Sequence, residues 1–347
     1  MRVAILTGGG DCPGLNAVIR AVTRRCATGY RHEVVGVHNG WRGLIEADFM
    51  PLDQERVSGI LPIGGTILGT SRTNPFKEEG SVDRILETIA AHEIGGVVAV
   101  GGEDTLGVAL RLHDEHGIHV VGVPKTIDND LSGTDYTFGF DTAVQIASEA
   151  IDRLHSTAES HNRTMVVEVM GRHAGWIAVM AGISGGADAI LIPEYPLAVE
   201  EVADLIKGRL ARGKSYSIVV VSEGAALTWR SGQQEQILAS NDVDSFGHVR
   251  LGGVGTVLGR ELEHMTGIET RVAVLGYIQR GGTPTARDRV LATRFGIKAA
   301  EMVHAGEWGK MAALQGDTIT AIPLSEALRE TKLVPRELYD LSAVFFG

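Results

Sequence analysis

Short runs rich in valine, isoleucine and leucine recur along this chain, each followed by a polar loop and most then by a longer helical pattern. They fall at residues 3–6, 33–38, 96–100, 120–123, 164–169, 189–192, 217–221 and 272–275. A strand covered by helices on both faces reads as a continuous apolar run rather than as an alternation, so these runs point to parallel sheets. The helical signal is clearest after Asp141, which is placed to cap a helix starting at Thr142. There Ala143, Ala147, Ala150 and Leu154 share one face, with Val144 and Ile151 beside them. Strands separated by such helices are βαβ units, and the expected class is α/β with mainly parallel sheets. At 347 residues the chain is long for one core and suits two domains.

Bulk properties exclude several kinds of partner. A net charge of −11 argues against nucleic acid, so a small anionic ligand must be held by local arginines and backbone donors. No apolar run approaches the roughly 18 residues of a membrane span. The chain starts directly on a strand-like run, so no signal peptide is expected. Its two cysteines, Cys12 and Cys26, lack metal-ligand spacing, which fits a reducing cytoplasm. Residues 224–266 are the least regular part. The polar stretch at 230–236 and the acids Asp242 and Asp244 suggest a solvated surface insertion, with a lid or an interface element as the alternatives.

In open α/β sheets ligands bind where strands end in loops at their carboxyl edge. Two such loops carry most of the chemistry. Residues 101–105 (GGEDT) follow the run at 96–100 and combine glycines, which let phosphate approach the backbone, with Glu103 and Asp104. One carboxylate such as Glu103 can suffice for Mg²⁺, which keeps several waters; the structural alternative is that both acids only favour a helix start. Residues 124–130 (PKTIDND) follow the run at 120–123. A plain turn needs one Asp or Asn, whereas here Asp128, Asn129 and Asp130 stand in succession beside Lys125 and Thr126. Phosphate donors, metal-binding acids and a carboxylate to take a proton make up a phosphoryl-transfer centre.

Other loops supply cations. Residues 7–14 (TGGGDCPG) end the first run and precede a helix expected near Asn16, without the Walker A or dinucleotide spacing. Arg72 follows two glycine-rich turns, and Arg172 lies in the turn MGRHAGW at 170–176, where His173 is given no catalytic role and Trp176 is read as a packing anchor. Arg271 and Arg280 flank the last run. Six residues of strand separate such ends by about 20 Å, so both reach one phosphate if the strand bends, or if two chains share a site with Arg163 and Arg172.

Together these loops resemble the phosphofructokinase family over essentially the whole chain. The matching motifs are TGGGDCPG at 7–14, GGTILGTSR at 64–72, GGEDT at 101–105, PKTIDND at 124–130, VEVMGR at 167–172, SEG at 222–224 and GYIQRGG at 276–282. The resemblance implies two Rossmann-like three-layer α/β/α domains with the active site in the cleft between them. Residues 1–139 with about 279–329 would bind the phosphoryl donor. Residues of about 140–278 with 330–347, including the insertion near 224–266, would bind fructose 6-phosphate. It also implies transfer of a phosphoryl group to the 1-hydroxyl of fructose 6-phosphate, giving fructose 1,6-bisphosphate. Asp128 then resembles the general base, with Thr126 and Asp130 positioning the reacting groups and Arg172 offsetting charge on the bridging phosphate. Met170, Gly171 and Glu223 resemble sugar contacts. Arg163, Arg271, Tyr277 and Arg280 fall where the family holds the 6-phosphate, Arg163 and Arg271 coming from a neighbouring subunit of a homodimer or homotetramer. Gly10, Arg72, Gly102 and Glu103 match donor-phosphate and Mg²⁺ positions.

Two departures bear on the donor. Where ATP-dependent members usually carry glycine, this chain has Asp104 and Lys125. An aspartate adds bulk and negative charge where the α-phosphate would lie. Two like charges about 4 Å apart cost about 4 kcal/mol at an intermediate effective dielectric. Inorganic diphosphate avoids that clash, and Lys125 would offset its charge. The resemblance is therefore to the diphosphate-dependent branch, with ATP as the alternative donor. Related NAD and lipid kinases, or a non-catalytic sugar-phosphate sensor, are the rival readings.

Overall fold

In the computed structural model, which describes residues 1–243, 245–247 and 249–347, the apolar runs become the parallel strands of two sheets. Asp244, and the side chain of Asp242, lie outside what is described. The chain opens with β1 (Arg2–Thr7), β2 (Glu33–Val37), β3 (Phe49–Leu52), β4 (Ile94–Gly101) and β5 (Val120–Pro124). After the long helix Phe140–His161 come β6 (Thr164–Val169), β7 (Ala189–Leu191) and β8 (Ser217–Ser222). Four short strands follow, β9 (Leu227–Thr228), β10 (Gln234–Glu235), β11 (Leu238–Val243) and β12 (Val249–Leu251). The last three are β13 (Thr270–Val274), β14 (Lys310–Gln315) and β15 (Thr318–Pro323).

The larger sheet has the order β15-β14-β5-β4-β1-β2-β3. Its inner pairs are parallel, and only β2–β3 and β14–β15 are antiparallel. The smaller sheet, β13-β6-β8-β7, is parallel throughout. Each expected strand is present. Of the strands that the apolar runs did not announce, β9–β12 form two separate pairs, and β3, β14 and β15 lie at the antiparallel margins of the larger sheet. Pro51 and Pro323 interrupt two of them, and proline is tolerated in a sheet chiefly at edges. Arg271 was expected ahead of its strand; it lies inside β13, opposite Met165.

Two expectations need correcting. Helix Phe140–His161 is not capped by Asp141: its cap residue is Gly139, at φ 92. A β-carbon on Gly139 would fall 2.4 Å from the Cys12 sulfur, so only glycine fits this left-handed corner. The free N–H of Thr142 is instead satisfied by Asp288 Oδ2 at 2.8 Å, from the start of helix Ala286–Ala305. Thr285, which caps that second helix, donates in turn to Asp141 Oδ2 at 2.7 Å, so the two helix starts serve each other. Residues 224–266 are also not simply a solvated excursion. They form the β9–β10 and β11–β12 pairs and the helix Val254–Thr266, whose Val254, Leu258 and Leu262 are buried in the core of the smaller sheet.

The largest core cluster joins the two halves, running from Val3 and Ile5 through Phe138 and Phe140 to Val167 and Ile190. Phe295, on helix Ala286–Ala305, is fully buried within it. Phe295→Ala removes a large aromatic from a site with no room to collapse. It is expected to cost about 3–5 kcal/mol; urea unfolding of the variant against the parent chain checks this.

Candidate active site

Loops from the carboxyl ends of β1, β4 and β5 face those from β6, β8 and β13 across one cavity of about 930 Å³. The walls carry carboxylates and cations in close mixture, because sheet interiors accept neither and both collect at the strand ends.

The β5 loop is the most constrained wall. Thr126 Oγ1 accepts the amide of Asp128 at 3.1 Å, and Thr137 Oγ1 donates to the Thr126 carbonyl at 2.7 Å. Asn129 takes a left-handed conformation, φ 51, and is buried. Its Oδ1 accepts from Thr137 N at 3.1 Å and from Lys332 Nζ at 3.0 Å. Of the three consecutive polar residues, then, Asp128 and Asp130 line the cavity while Asn129 bends the chain between them. Asp128 Oδ1 is shielded from solvent with no hydrogen-bond donor in the protein. Burial first, and then the neighbouring Asp130 charge and Glu223, push the Asp128 carboxyl up to about 7; Arg280 and Arg172 pull the other way.

Lys125, the other distinctive residue of this loop, is buried in the wall of the cavity. Its ammonium donates to the Gly10 carbonyl, so the β5 loop holds the β1 loop from beneath. Burial lowers its affinity for a proton, with Arg280 adding to the effect and the acids Asp11 and Asp130 opposing it. Gly10 also permits close approach from the opposite side. A β-carbon there would sit 2.6 Å from Arg280 Nη1, which donates to the Asp11 carbonyl at 3.2 Å. The β1 loop is thus clasped by a lysine from its own sheet and by an arginine from the turn after β13.

Glu103 and Asp104 occupy the first turn of helix Glu103–His116 and also line the cavity, so favouring the helix start and facing the ligand space are compatible. On the opposite wall, burial raises the Glu223 carboxyl, partly offset by Arg172 and Arg280. Arg172 Nη1 donates to the Val249 carbonyl at 2.9 Å, tying the β6 loop to the β11–β12 pair. From that pair Ser245 donates to the Arg72 carbonyl, spanning the cleft.

Gly10, Arg72, Gly102, Glu103, Asp104, Lys125, Thr126, Asp128, Asp130, Met170, Arg172, Glu223, Tyr277 and Arg280 all line this one cavity. Gly171 lies just behind the wall, its carbonyl accepting from Ser222 Oγ and from the amide of Gly224. Arg163 and Arg271 do not reach their own chain's cavity; both pair with Glu269. Further lining features were given no role from the sequence. Glu168 sits in β6 and accepts the amides of Gly253 and Gly255 at 3.1 and 2.8 Å, capping helix Val254–Thr266. It stands inside the VEVMGR motif at 167–172, but as an acid in an otherwise apolar run it was given no role. The β11–β12 pair supplies Ala239, Ser240 and Leu251, and His173 completes the rim.

Among the described residues no group of three or more His, Cys, Asp or Glu side chains converges as a metal site. A divalent ion held at Glu103 would draw the rest of its shell from phosphate oxygens and water, the usual habit of magnesium. The residues present fit that arrangement.

The two mainly parallel sheets, with acids and cations mixed in the cleft at their strand ends, define a protein of the α/β class. The phosphofructokinase family model matches residues 2–303, and the chain belongs to that family. It is 58% identical to the pyrophosphate–fructose 6-phosphate 1-phosphotransferase of Amycolatopsis methanolica and 56% identical to that of Streptomyces coelicolor, with 100% of each chain covered. It is also 53% identical, over 100% of both chains, to the ATP-dependent 6-phosphofructokinase of Mycobacterium bovis. Among solved structures, the pyrophosphate-dependent phosphofructokinase of Marinobacter aquaeolei superposes with a TM-score of 0.80 at 27% identity, covering 100% of this chain and 92% of that one. Members of this family generally use a divalent metal ion. No helix among the described residues is long and apolar enough to cross a membrane.

The raised Asp128 carboxyl has a consequence for stability. Between its ordinary value and about 7 the native state holds a proton that the unfolded chain releases, so its contribution falls as pH rises through that window. Asp128→Asn removes the buried charge. The variant is expected to melt a few degrees above the parent at pH 8 and close to it at pH 4, as differential scanning calorimetry would show.

Proposed function

We propose that this chain catalyses reversible phosphoryl transfer from inorganic diphosphate to the 1-hydroxyl of fructose 6-phosphate, giving fructose 1,6-bisphosphate and phosphate. The observation that carries the reaction type is Asp128: a half-buried carboxylate with one oxygen lacking any protein donor, raised toward neutrality, facing the cavity beside Asp130. A base tuned near the working pH accepts a hydroxyl proton with little penalty and returns it in the reverse direction. Thr126 and Asp130 position the sugar hydroxyl and the transferring group, and Arg172 offsets charge on the bridging phosphate. Glu223, Met170 and Gly171 bind the sugar, and Tyr277 and Arg280 its 6-phosphate. Arg163 and Arg271, which face away from their own cavity, serve the site of a second copy in a homodimer or homotetramer. Gly10, Arg72 and Gly102 hold the donor. Mg²⁺, bound at Glu103, would neutralise the donor's phosphate oxygens. In this reading, residues 1–139 with about 279–329 carry the donor and the remainder carries the sugar.

Names of relatives do not choose the donor, since diphosphate-dependent and ATP-dependent names occur at 56–58% and 53% identity. The choice rests on Asp104 and Lys125. Asp104 lines the donor side of the cavity and brings charge against a nucleotide's α-phosphate. Lys125, buried in the same wall and donating to the Gly10 carbonyl, places positive charge beside the glycine loop where the diphosphate would lie.

Asp128→Asn is expected to lose about 10²–10⁴-fold in kcat while retaining fructose 6-phosphate binding, measured by steady-state kinetics and calorimetry. Near-normal turnover would remove Asp128 from the mechanism. In a donor assay the parent chain is expected to use diphosphate and reject ATP, and Asp104→Gly to gain activity with ATP. A parent chain active with ATP and inert with diphosphate would overturn the donor assignment.

A further inference from the structure

We propose that Lys332, far from the reacting groups in sequence, is a positioning residue that sets the Asp128–Asn129–Asp130 turn for proton transfer. The inference rests on Asp128 being the proton acceptor.

Residues near 330–334 cross between the two halves of the molecule. Thr331 bridges Leu131 in antiparallel fashion, and Ser132 Oγ donates to the Glu330 carbonyl at 2.8 Å. The amide of Lys332 donates to the Asp130 carbonyl at 2.8 Å. On the other side Trp176 Nε1 donates to the Lys332 carbonyl at 2.9 Å, and the amide of Val334 donates to Glu194 Oε1 at 3.0 Å. Lys332 therefore grips the turn by its backbone while anchored to the smaller-sheet half.

Its side chain grips the same turn again. The ammonium donates to Asn129 Oδ1 at 3.0 Å and to the carbonyls of Thr134 and Asp135 at 2.9 Å each. An ammonium has three protons, and all three are spent on this loop. The indole of Trp176 covers the charge, 5.2 Å from Nζ. None of the three acceptors is a carboxylate, yet a half-buried cation without a contacting anion carries a desolvation cost. A neutral side-chain amide, with two protons, could satisfy only two of the three acceptors. What the charge adds is a field, directed at the nearest acids, Asp130 and Asp135. Asp130 in turn is the largest charge acting on Asp128, whose surroundings otherwise consist of Arg280, Glu223 and Arg172. Through Asn129 the ammonium fixes where Asp128 points, and through Asp130 it fixes the charge that Asp128 faces.

The strained left-handed Asn129 lies between the two acids, so loosening its side chain rotates both carboxylates. Displacement of a reacting group by about 1 Å can cost about 10²-fold in rate. Lys332→Cys is therefore expected to lower kcat about 10²-fold with KM for fructose 6-phosphate and for diphosphate little changed. Alkylation with bromoethylamine then rebuilds an ammonium one sulfur away from lysine and is expected to restore most of kcat. Native Cys12 and Cys26 are buried, with thiols pushed up to about 12 and about 11, so the reagent falls on the new cysteine. Wild-type kcat in the folded Lys332→Cys chain overturns the inference, as does a loss that aminoethylation leaves unrepaired. Should that variant not fold, Lys332→Gln, which keeps a donor for Asn129 without the charge, serves instead. A fall of about tenfold or more in kcat at constant KM supports the role, and unchanged kcat refutes it. Asp128→Asn run beside them separates the levels: activity in that variant sinks the assignment of the base, whereas its inactivity beside an active Lys332 variant sinks only the positioning role.

Discussion

Burying both faces of a parallel strand leaves only its ends available to polar chemistry, and everything distinctive in this molecule follows from that confinement. The inner strands of both sheets are apolar over nearly their whole length. The carboxyl ends of the two sheets point into one cleft, so charged side chains of both signs accumulate there. Arg172, Arg280 and Lys125 share a small volume with Asp128, Asp130 and Glu223. None of these charges is explained by its own strand; each is tolerated because the others are close.

Crowding of this kind creates a hierarchy rather than a set of simple ion pairs. Asp128 keeps one oxygen out of water without a donor, whereas Lys125 spends its ammonium on a backbone carbonyl. One group is kept reactive and the other becomes architecture. The same division appears within the Asp128–Asn129–Asp130 turn, where the middle residue gives up access to the cavity to satisfy Thr137 and Lys332.

The frame of the fold was legible because its signal is local. Apolar runs announced the buried strands, and glycine with acid announced the loops behind them. Edge strands were harder: β3 and β15 carry prolines and bury less, so their composition differs little from that of a loop. The cap of helix Phe140–His161 was misplaced because its partner, Asp288, lies 146 residues away from Thr142. Site residues on strand-terminal loops were visible by type and spacing. Glu168 and Lys332 were not, since their meaning depends on what folds against them; Lys332 meets Asn129 across 203 residues. The period of Val254, Leu258 and Leu262 was present in the sequence, but the polar residues before it masked a core helix as part of an insertion.

The two helix starts that satisfy each other, Thr142 with Asp288 and Asp141 with Thr285, join one helix from each half of the molecule. Further bonds, from Thr142 Oγ1 to Asp288 at 2.6 Å and from Thr285 N to Thr142 Oγ1 at 3.1 Å, leave little play at that point. A joint so tightly pinned makes one shared corner of two helix starts, so a change at Thr142 or Asp288 is felt by both helices at once.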